Sequence, residues 1–239
     1  ADEAGIAVEG MVVQSLASGL AVLNSSERDV TTMLVDIGGG TTDVGIFRRG
    51  TLEHSAVIPL GGDHITQDIS QLLRIPPDEA ERVKRRYGVA LPDLADRDVV
   101  LEVANPAYTA SISTFELAQV IRPRVMEILD MVRANVEKSK GALELMVGNV
   151  VITGGASLMP GVSQVATDRF RLPVRVGKPE GISGLVDAVA SPVHATGVGL
   201  VRYGVAHAGK EPEQAPRMRS SIVQNGIVGG IRKALKDWF

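Results

Sequence analysis

The sequence predicts an α/β fold, and three observations carry that prediction. Strand-like and helix-like runs alternate along the 239 residues. Two of the strand-like runs, "MLVDIGGG" and "VVITGG", read as buried strands ending in consecutive glycines. The composition, 44% hydrophobic and 22% charged, is that of a globular chain with a sizeable core.

The same composition removes several function classes. There is no cysteine, so disulfides and thiolate metal sites are excluded. The four histidines, His54, His64, His194 and His207, share no ligand spacing. A net charge of −3 gives no reason to expect nucleic acid. No apolar run approaches the ~20 residues of a spanning helix, and no signal-peptide pattern opens the chain. Its start at Ala1 rather than methionine is expected of a processed or truncated piece.

In chain order, 6–13 predicts a strand, 14–23 a small, closely packed helix, and 24–29 a polar loop. Three strands follow at 32–37, 41–48 and 51–60, the last two joined by a tight reversal at Arg49 and Gly50. Ile65, Ile69, Leu72 and Leu73 recur at helical spacing after Gly61 and Gly62, with Asp63 as the expected N-cap. Pro76 and Pro77 open another helix that closes at Gly88. A strand at 98–104 and a long helix over 114–140, bent near Pro123, come next. Then follow the strand "NVVITGG", a helix over 160–170, a short strand "PVRVG" and a final core helix over 192–203. Residues 207–225, polar and carrying Pro212 and Pro216, predict a flexible linker.

The stretch "DIGGGTTD" carries chemistry. Consecutive glycines let a strand turn tightly and bring bare backbone to a ligand. Successive N–H groups in such a turn make an anion-binding concavity. Thr41 and Thr42 add hydroxyl donors beyond it. Asp36 and Asp43 flank it, and carboxylates beside phosphate require a cation between them, for which Mg²⁺ with its waters is suited. The plainer alternative is a hairpin turn whose polar groups satisfy only backbone. The second turn, "VVITGGASLMPG", weakens that alternative, since two strand-to-glycine turns suit two sides of one nucleotide pocket.

These motifs resemble a known superfamily. "DIGGGTTD" is similar to the second phosphate loop of actin, Hsp70 and sugar kinases, and "ITGGASLMPG" to their adenosine loop. More narrowly, "LVDIGGGTTDVGIF", "AVIPLGGDHITQDI", "AERVKRRYG" and "VVITGGASLMPG" together resemble the actin-like bacterial cell-division family FtsA, over nearly the whole chain. The resemblance implies the second lobe of an actin/Hsp70-like (ribonuclease H-like) fold with a C-terminal amphipathic helix. It implies ATP and Mg²⁺ as cofactors. Asp36 would hold the Mg²⁺ waters, and Gly38, Gly39, Gly40, Thr41 and Thr42 would cradle the β- and γ-phosphates. Asp43 would sit near the attacking water. Gln14 matches the position of a water-orienting glutamine or glutamate, with a polar helix cap at a hinge as its alternative. Lys84 would lie beside adenine and ribose, or else be a solvated helix charge. Gly154 and Gly155 would pass under the nucleotide near Met159. Asp63 and His64 are read as a cap and its neighbour.

The family pattern also has a first lobe with its own phosphate loop and an inserted subdomain, which this sequence does not show. The implied division is therefore 1–24 as a remnant of that lobe with the interlobe helix. Residues 25–60 and 143–206 would form the nucleotide-binding subdomain, and 61–142 a smaller inserted one. Residues 207–225 are the linker and 226–239 a membrane helix. With half a cleft, the expectation is at most a weak ATPase.

Residues 226–239, "GIVGGIRKALKDWF", differ in character. On a helix at about 100° per residue, Ile227, Ile231, Leu235 and Trp238 fall on one stripe with Val228 and Phe239 at its edge. Arg232, Lys233, Lys236 and Asp237 fall opposite. Such a segment suits the bilayer interface. Each buried apolar side chain contributes about 1.5–3 kcal/mol, and each basic group about 1 kcal/mol near anionic lipid. Ordering a short helix opposes both. The net resembles one lipid chain, so durable attachment needs many tails in a polymer. The resemblance implies a tether, self-associating into actin-like filaments, that would hold the C-terminal tail of FtsZ at the cytoplasmic face of the plasma membrane, at the division site. By the same resemblance residues 61–142 would be the docking region; Arg122, Arg124 and Arg133 on its long helix are either a basic docking face or the charges of an ordinary solvated helix. A pilus-assembly actin-like scaffold and a sugar-kinase-type phosphotransferase are the alternatives on the same fold.

Overall fold

The computed structural model describes residues 2–5, 7–8, 10–104, 109–138, 147–182 and 186–207. The proposed membrane helix and nearly all of the proposed linker therefore lie outside the described residues. Val12–Ala206 form one compact unit. Of the other unit, Ala1–Met11 with His207–Phe239, the described part is a 3₁₀ turn at Asp2–Ala4, irregular backbone and His207.

In chain order the helices are α1 (Gln14–Val22), α2 (Ser25–Asp29), α3 (Gly62–Leu73), α4 (Pro77–Tyr87), α5 (Thr114–Lys138), α6 (Val162–Phe170), α7 (Val186–Val189) and α8 (Ala195–His207). The strands are β1 (Thr32–Ile37), β2 (Thr42–Arg48), β3 (Thr51–Ile58), β4 (Val100–Ala104), β5 (Thr109–Ser113), β6 (Asn149–Thr153) and β7 (Val174–Val176). Among the described residues, five strands form a mixed sheet in the order β3-β2-β1-β6-β7. β1, β2 and β3 are an antiparallel meander, while β6 and β7 run parallel to β1. β4 and β5 make a separate two-stranded sheet.

β1 is buried along its whole length, as expected of a strand covered on both faces. Side-chain alternation assigns those faces. Met33, Val35 and Ile37 join the larger core with Ile65 and Ile69 of α3 and Ile121, Val125 and Ile128 of α5. Leu34 joins a smaller core with Val151, Phe47, Ala21, Val22 and Ala195. Asp36 shares Leu34's parity, so it faces α1 and α8 rather than the larger core.

α1 lies close on the sheet because Gly19 and Gly45 leave room for the Phe47 ring; a Cβ on Gly19 would come 2.9 Å from Phe47 Cε1. The last carbonyls of any helix lack intrahelical donors. Here guanidinium groups supply them: Arg28 donates to Leu20 O at 3.2 Å, Arg202 to Leu20 O at 2.7 Å, and Arg175 to Val22 O at 2.8 Å.

Several sequence expectations are corrected. Residues 7, 8 and 10–13 are not strand. The stretch 24–29 is not a loop but holds α2, nucleated by a capping box in which Asn24 Oδ1 accepts from the Glu27 N–H and Glu27 accepts from the Asn24 N–H. Asp63 is not the N-cap of α3; Gly61 is, and His64 Nδ1 accepts the Gly61 N–H at 3.2 Å. β5 follows β4 where no strand was expected. The final helix is not a core helix: among its described residues only Ala195 and Gly199 are buried, and α8 lies at the surface. It also extends through His207, the first residue assigned to the linker.

Candidate functional site

The two glycine turns leave the sheet side by side. β1 and β6 are parallel neighbours with Asp36 opposite Thr153, so Gly38–Gly40 and Gly154–Gly155 emerge at the same carboxyl edge. Open α/β sheets bind ligands at that edge. Gly154 is buried against β1, with φ 84° and ψ 167°. A methyl there would collide with Asp36 Oδ1 and the Ile37 carbonyl. Only a residue without Cβ permits this approach.

The first turn also receives α3. Gly38 N–H donates to Thr41 O at 2.9 Å, closing the turn. Gly62 N–H donates to Gly38 O and Asp63 N–H to Gly39 O, both at 2.9 Å. The turn carbonyls thus satisfy the first orphan donors of α3. Gly39, Gly40 and Thr41 are exposed at the tip, and among the described residues their N–H groups have no chain acceptor.

A cavity of about 450 Å³ lies beside these turns. Gly38 and Gly39 line it from the first turn, Gly155 and Met159 from the second. Gly62 and Asp63 contribute from α3, and Lys84 and Arg85 from α4. Two larger grooves, of about 830 and 810 Å³, run along α5, but neither touches a glycine turn.

Lys84 is buried, at 9% exposure, which overturns its reading as a solvated charge. Its Nζ donates to Gly62 O at 2.9 Å and Thr66 Oγ1 at 2.8 Å, and pairs with Glu81 Oε2 at 2.5 Å. Burial opposes ionisation of Glu81, but hydrogen bonds from Lys84 and Thr66, with the charges of Lys84 and Arg85, together hold its carboxyl below the usual range.

Asp36 and Asp43 stand directly opposite each other on β1 and β2, and both are buried. Burial first, and the neighbouring Asp36 charge second, push the Asp43 carboxyl up, against a smaller opposing hydrogen bond from Thr41. Asp36 Oδ2 accepts from Ser18 Oγ at 2.5 Å and from Thr196 Oγ1 at 3.2 Å. Thr42 points the other way, its hydroxyl donating to Leu60 O at 2.8 Å. Gln14 opens α1 and is exposed; the next residue, Ser15, meets the Ser55 hydroxyl at 2.9 Å.

The structure therefore brings Gly38, Gly39, Lys84, Gly155 and Met159 to one cavity, with Gly154 and the aspartate pair beneath the turns. Gln14, Gly40, Thr41 and Thr42 do not line it. Sequence reasoning passed over Ser18, Thr196, Gly62, Glu81 and Arg85. Glu81 carried a legible signal, three residues before Lys84 on a helix; the hydroxyls did not. The expected basic face is also altered, because Arg124 pairs with Asp68 and Glu127, and Arg133 with Glu137.

Residues 33–199 match the family model described as Cell division protein FtsA. The chain belongs to the FtsA family. It is 40% identical over 203 residues to the cell division protein FtsA of Pseudomonas aeruginosa, covering 84% of this chain and 48% of that protein. To the FtsA of Neisseria meningitidis it is 36% identical over 239 residues, covering 99% and 57%. To that of Escherichia coli K12 it is 35% identical over 246 residues, again covering 99% and 57%. The chain thus spans about half the length of these relatives. Among solved structures, MreB5 of Spiroplasma citri bound to ADP superposes with a TM-score of 0.64 at 20% identity, covering 82% of this chain and 59% of that one. A PilM–PilN type IV pilus biogenesis complex gives 0.62 at 21% identity, covering 82% and 53%. At such identities these two show the fold alone, which is actin-like. Family membership, not fold, separates this chain from the pilus scaffold and the sugar kinases.

Proposed function

We propose that this chain supplies one wall of an ATP site that controls self-assembly, and that it tethers FtsZ polymers to the cytoplasmic face of the membrane at the septum. The observation that carries the nucleotide reading is the convergence of two glycine turns and a buried lysine on one cavity of about 450 Å³. The residues present suit the ligand. The exposed tip of the first turn offers backbone N–H groups to phosphate. Gly155, Met159 and the α4 side chains offer a mixed surface to adenosine. A solved neighbour of this chain in the fold, an MreB 5 of Spiroplasma citri, is bound to AMPPNP.

Mg²⁺ bound with ATP would supply neutralisation of phosphate charge. Asp36 would hold its waters, and Asp43 would stand ready beside it. Among the described residues no three or more His, Asp or Glu side chains gather into a metal cage. That suits an ion clad largely in water and phosphate. Gln14, on the same face of the sheet, is proposed to orient the attacking water, with turnover at most weak.

The remaining parts of the reading rest on the sequence and the family. Residues 226–239 would lie in the bilayer interface, and 61–142 would receive the FtsZ C-terminal tail. Among the described residues no helix is long and apolar enough to cross a membrane.

The test is a nuclear magnetic resonance shift titration of this chain with Mg-ATP, run beside calorimetry. Weak saturable binding is expected, with Kd on the order of 1 mM, about −4 kcal/mol. Asp36→Ala should remove its Mg²⁺ dependence. Micromolar affinity with steady hydrolysis would refute the one-wall reading, and an absence of shifts near either turn would refute the nucleotide site.

A further inference from the structure

Asp36 is gripped from the face opposite the larger core. Ser18 of α1 and Thr196 of α8 both reach its Oδ2, at 2.5 and 3.2 Å, and their hydroxyls lie 2.9 Å apart. Three contacts share two protons, since each hydroxyl carries one and a carboxylate only accepts. Ser18 makes the shortest contact, with Asp36. The Thr196 proton is then divided between Ser18 Oγ and Asp36 Oδ2. The triangle closes only while α8 stays seated on α1.

The depth of that seat is set by another pair. Gly199, three residues after Thr196, lies against Ala17, the residue before Ser18. A Cβ on Gly199 would come 3.0 Å from Ala17 Cα and collide with the Ala17 carbonyl. The close crossing of two small residues therefore delivers Thr196 to Ser18. On the other side, Asp36 Oδ1 abuts Gly154, and among the described residues it receives no hydrogen bond.

We infer that Ser18 and Thr196 are positioning residues for Asp36. They pin Oδ2, leave Oδ1 as the acceptor for the water shell of a divalent cation, and so tie metal-dependent nucleotide binding to the seating of α8 on α1. The terminal torsion of an aspartate is broad when unrestrained. Two donors from separate elements on one oxygen remove that freedom, as a held site requires. This inference rests on the nucleotide reading above.

The test is the ratio of ATP affinities with Mg²⁺ and with EDTA, read by shift titration of the chain. In the parent, Mg²⁺ should tighten binding. Thr196→Val and Ser18→Ala should each cut that gain roughly fivefold, with affinity in EDTA unchanged. Thr196→Ser should restore it. Gly199→Ala, which lifts α8 without touching a hydroxyl, should act in the same direction. Variants that lose thermal stability but keep the parent ratio would overturn the inference and leave the nucleotide site standing. A parent chain that binds ATP under neither condition would instead remove the nucleotide reading, and the inference with it.

Discussion

Replacing Gly154 with alanine tests whether the two turns are built on each other. At φ 84° and ψ 167° the residue occupies a region open essentially to glycine, where a side chain costs about 1–3 kcal/mol. The added Cβ would also lie 2.7 Å from the Ile37 carbonyl carbon, against an ordinary carbon contact of roughly 3.5 Å. The neighbours must yield by most of an ångström, and they are the backbone of β1 and the buried Asp36 carboxylate. Overpacking of that kind costs about 1–3 kcal/mol. Together Gly154→Ala should destabilise by about 4 kcal/mol, lowering the melting temperature by roughly 10 °C. Gly155→Ala is the matched control. Its nearest neighbour outside the turn, Val193 Cγ2, would be 3.9 Å from the new methyl, so the change should stay within about 0.5 kcal/mol. Urea denaturation at pH 7 measures both. If the two alanine variants unfold at the same midpoint, the tight apposition of turn and strand is wrong.

Lys84→Ala removes the donor to Thr66 Oγ1, one of the donors to the Gly62 carbonyl, and the partner of Glu81, so a loss of about 2 kcal/mol is expected, moderated because Glu81 is 40% exposed; a urea midpoint at the parent value would count against its structural anchoring. Asp43→Asn should raise stability at pH 7, because burial and the facing Asp36 disfavour its charge in the fold. The sign follows from a folded pKa raised above 3.8: the penalty is fully present above the folded pKa and vanishes as pH falls to the unfolded value. The advantage of Asn should therefore shrink on acidification, and an advantage constant from pH 7 to pH 3 would refute the electrostatic cause. For the tail, Trp238→Glu should abolish co-sedimentation with anionic liposomes while Lys233→Ala only weakens it, since apolar burial outweighs Coulomb attraction. Trp238 is the chain's only tryptophan, so a missing fluorescence blue shift on adding vesicles would rule out insertion.

The sequence by itself determined the α/β class, the order of β1, β2, β3 and β6, and both glycine turns. Strand burial and turn chemistry are written within a few residues of each other, so a linear reading recovers them. It also marked Asp36 and Asp43, because they flank a distinctive glycine turn, while Lys84 was marked only through the family resemblance. The short helix α2 was legible in principle, as Asn24 and Glu27 have capping-box spacing, but its polar surface reads like a loop. Tertiary structure alone decided the rest. That Lys84 is buried depends on α4 folding over the start of α3, 18 to 22 residues away in sequence. That Ser18 and Thr196 meet on Asp36 depends on two helices 178 residues apart crossing at Ala17 and Gly199. One of two serines in a small apolar helix and a lone threonine opening another carry no local pattern. Their chemistry exists only where the chain brings their hydroxyls to one carboxylate oxygen, and packing across the sheet decides that, not periodicity along it.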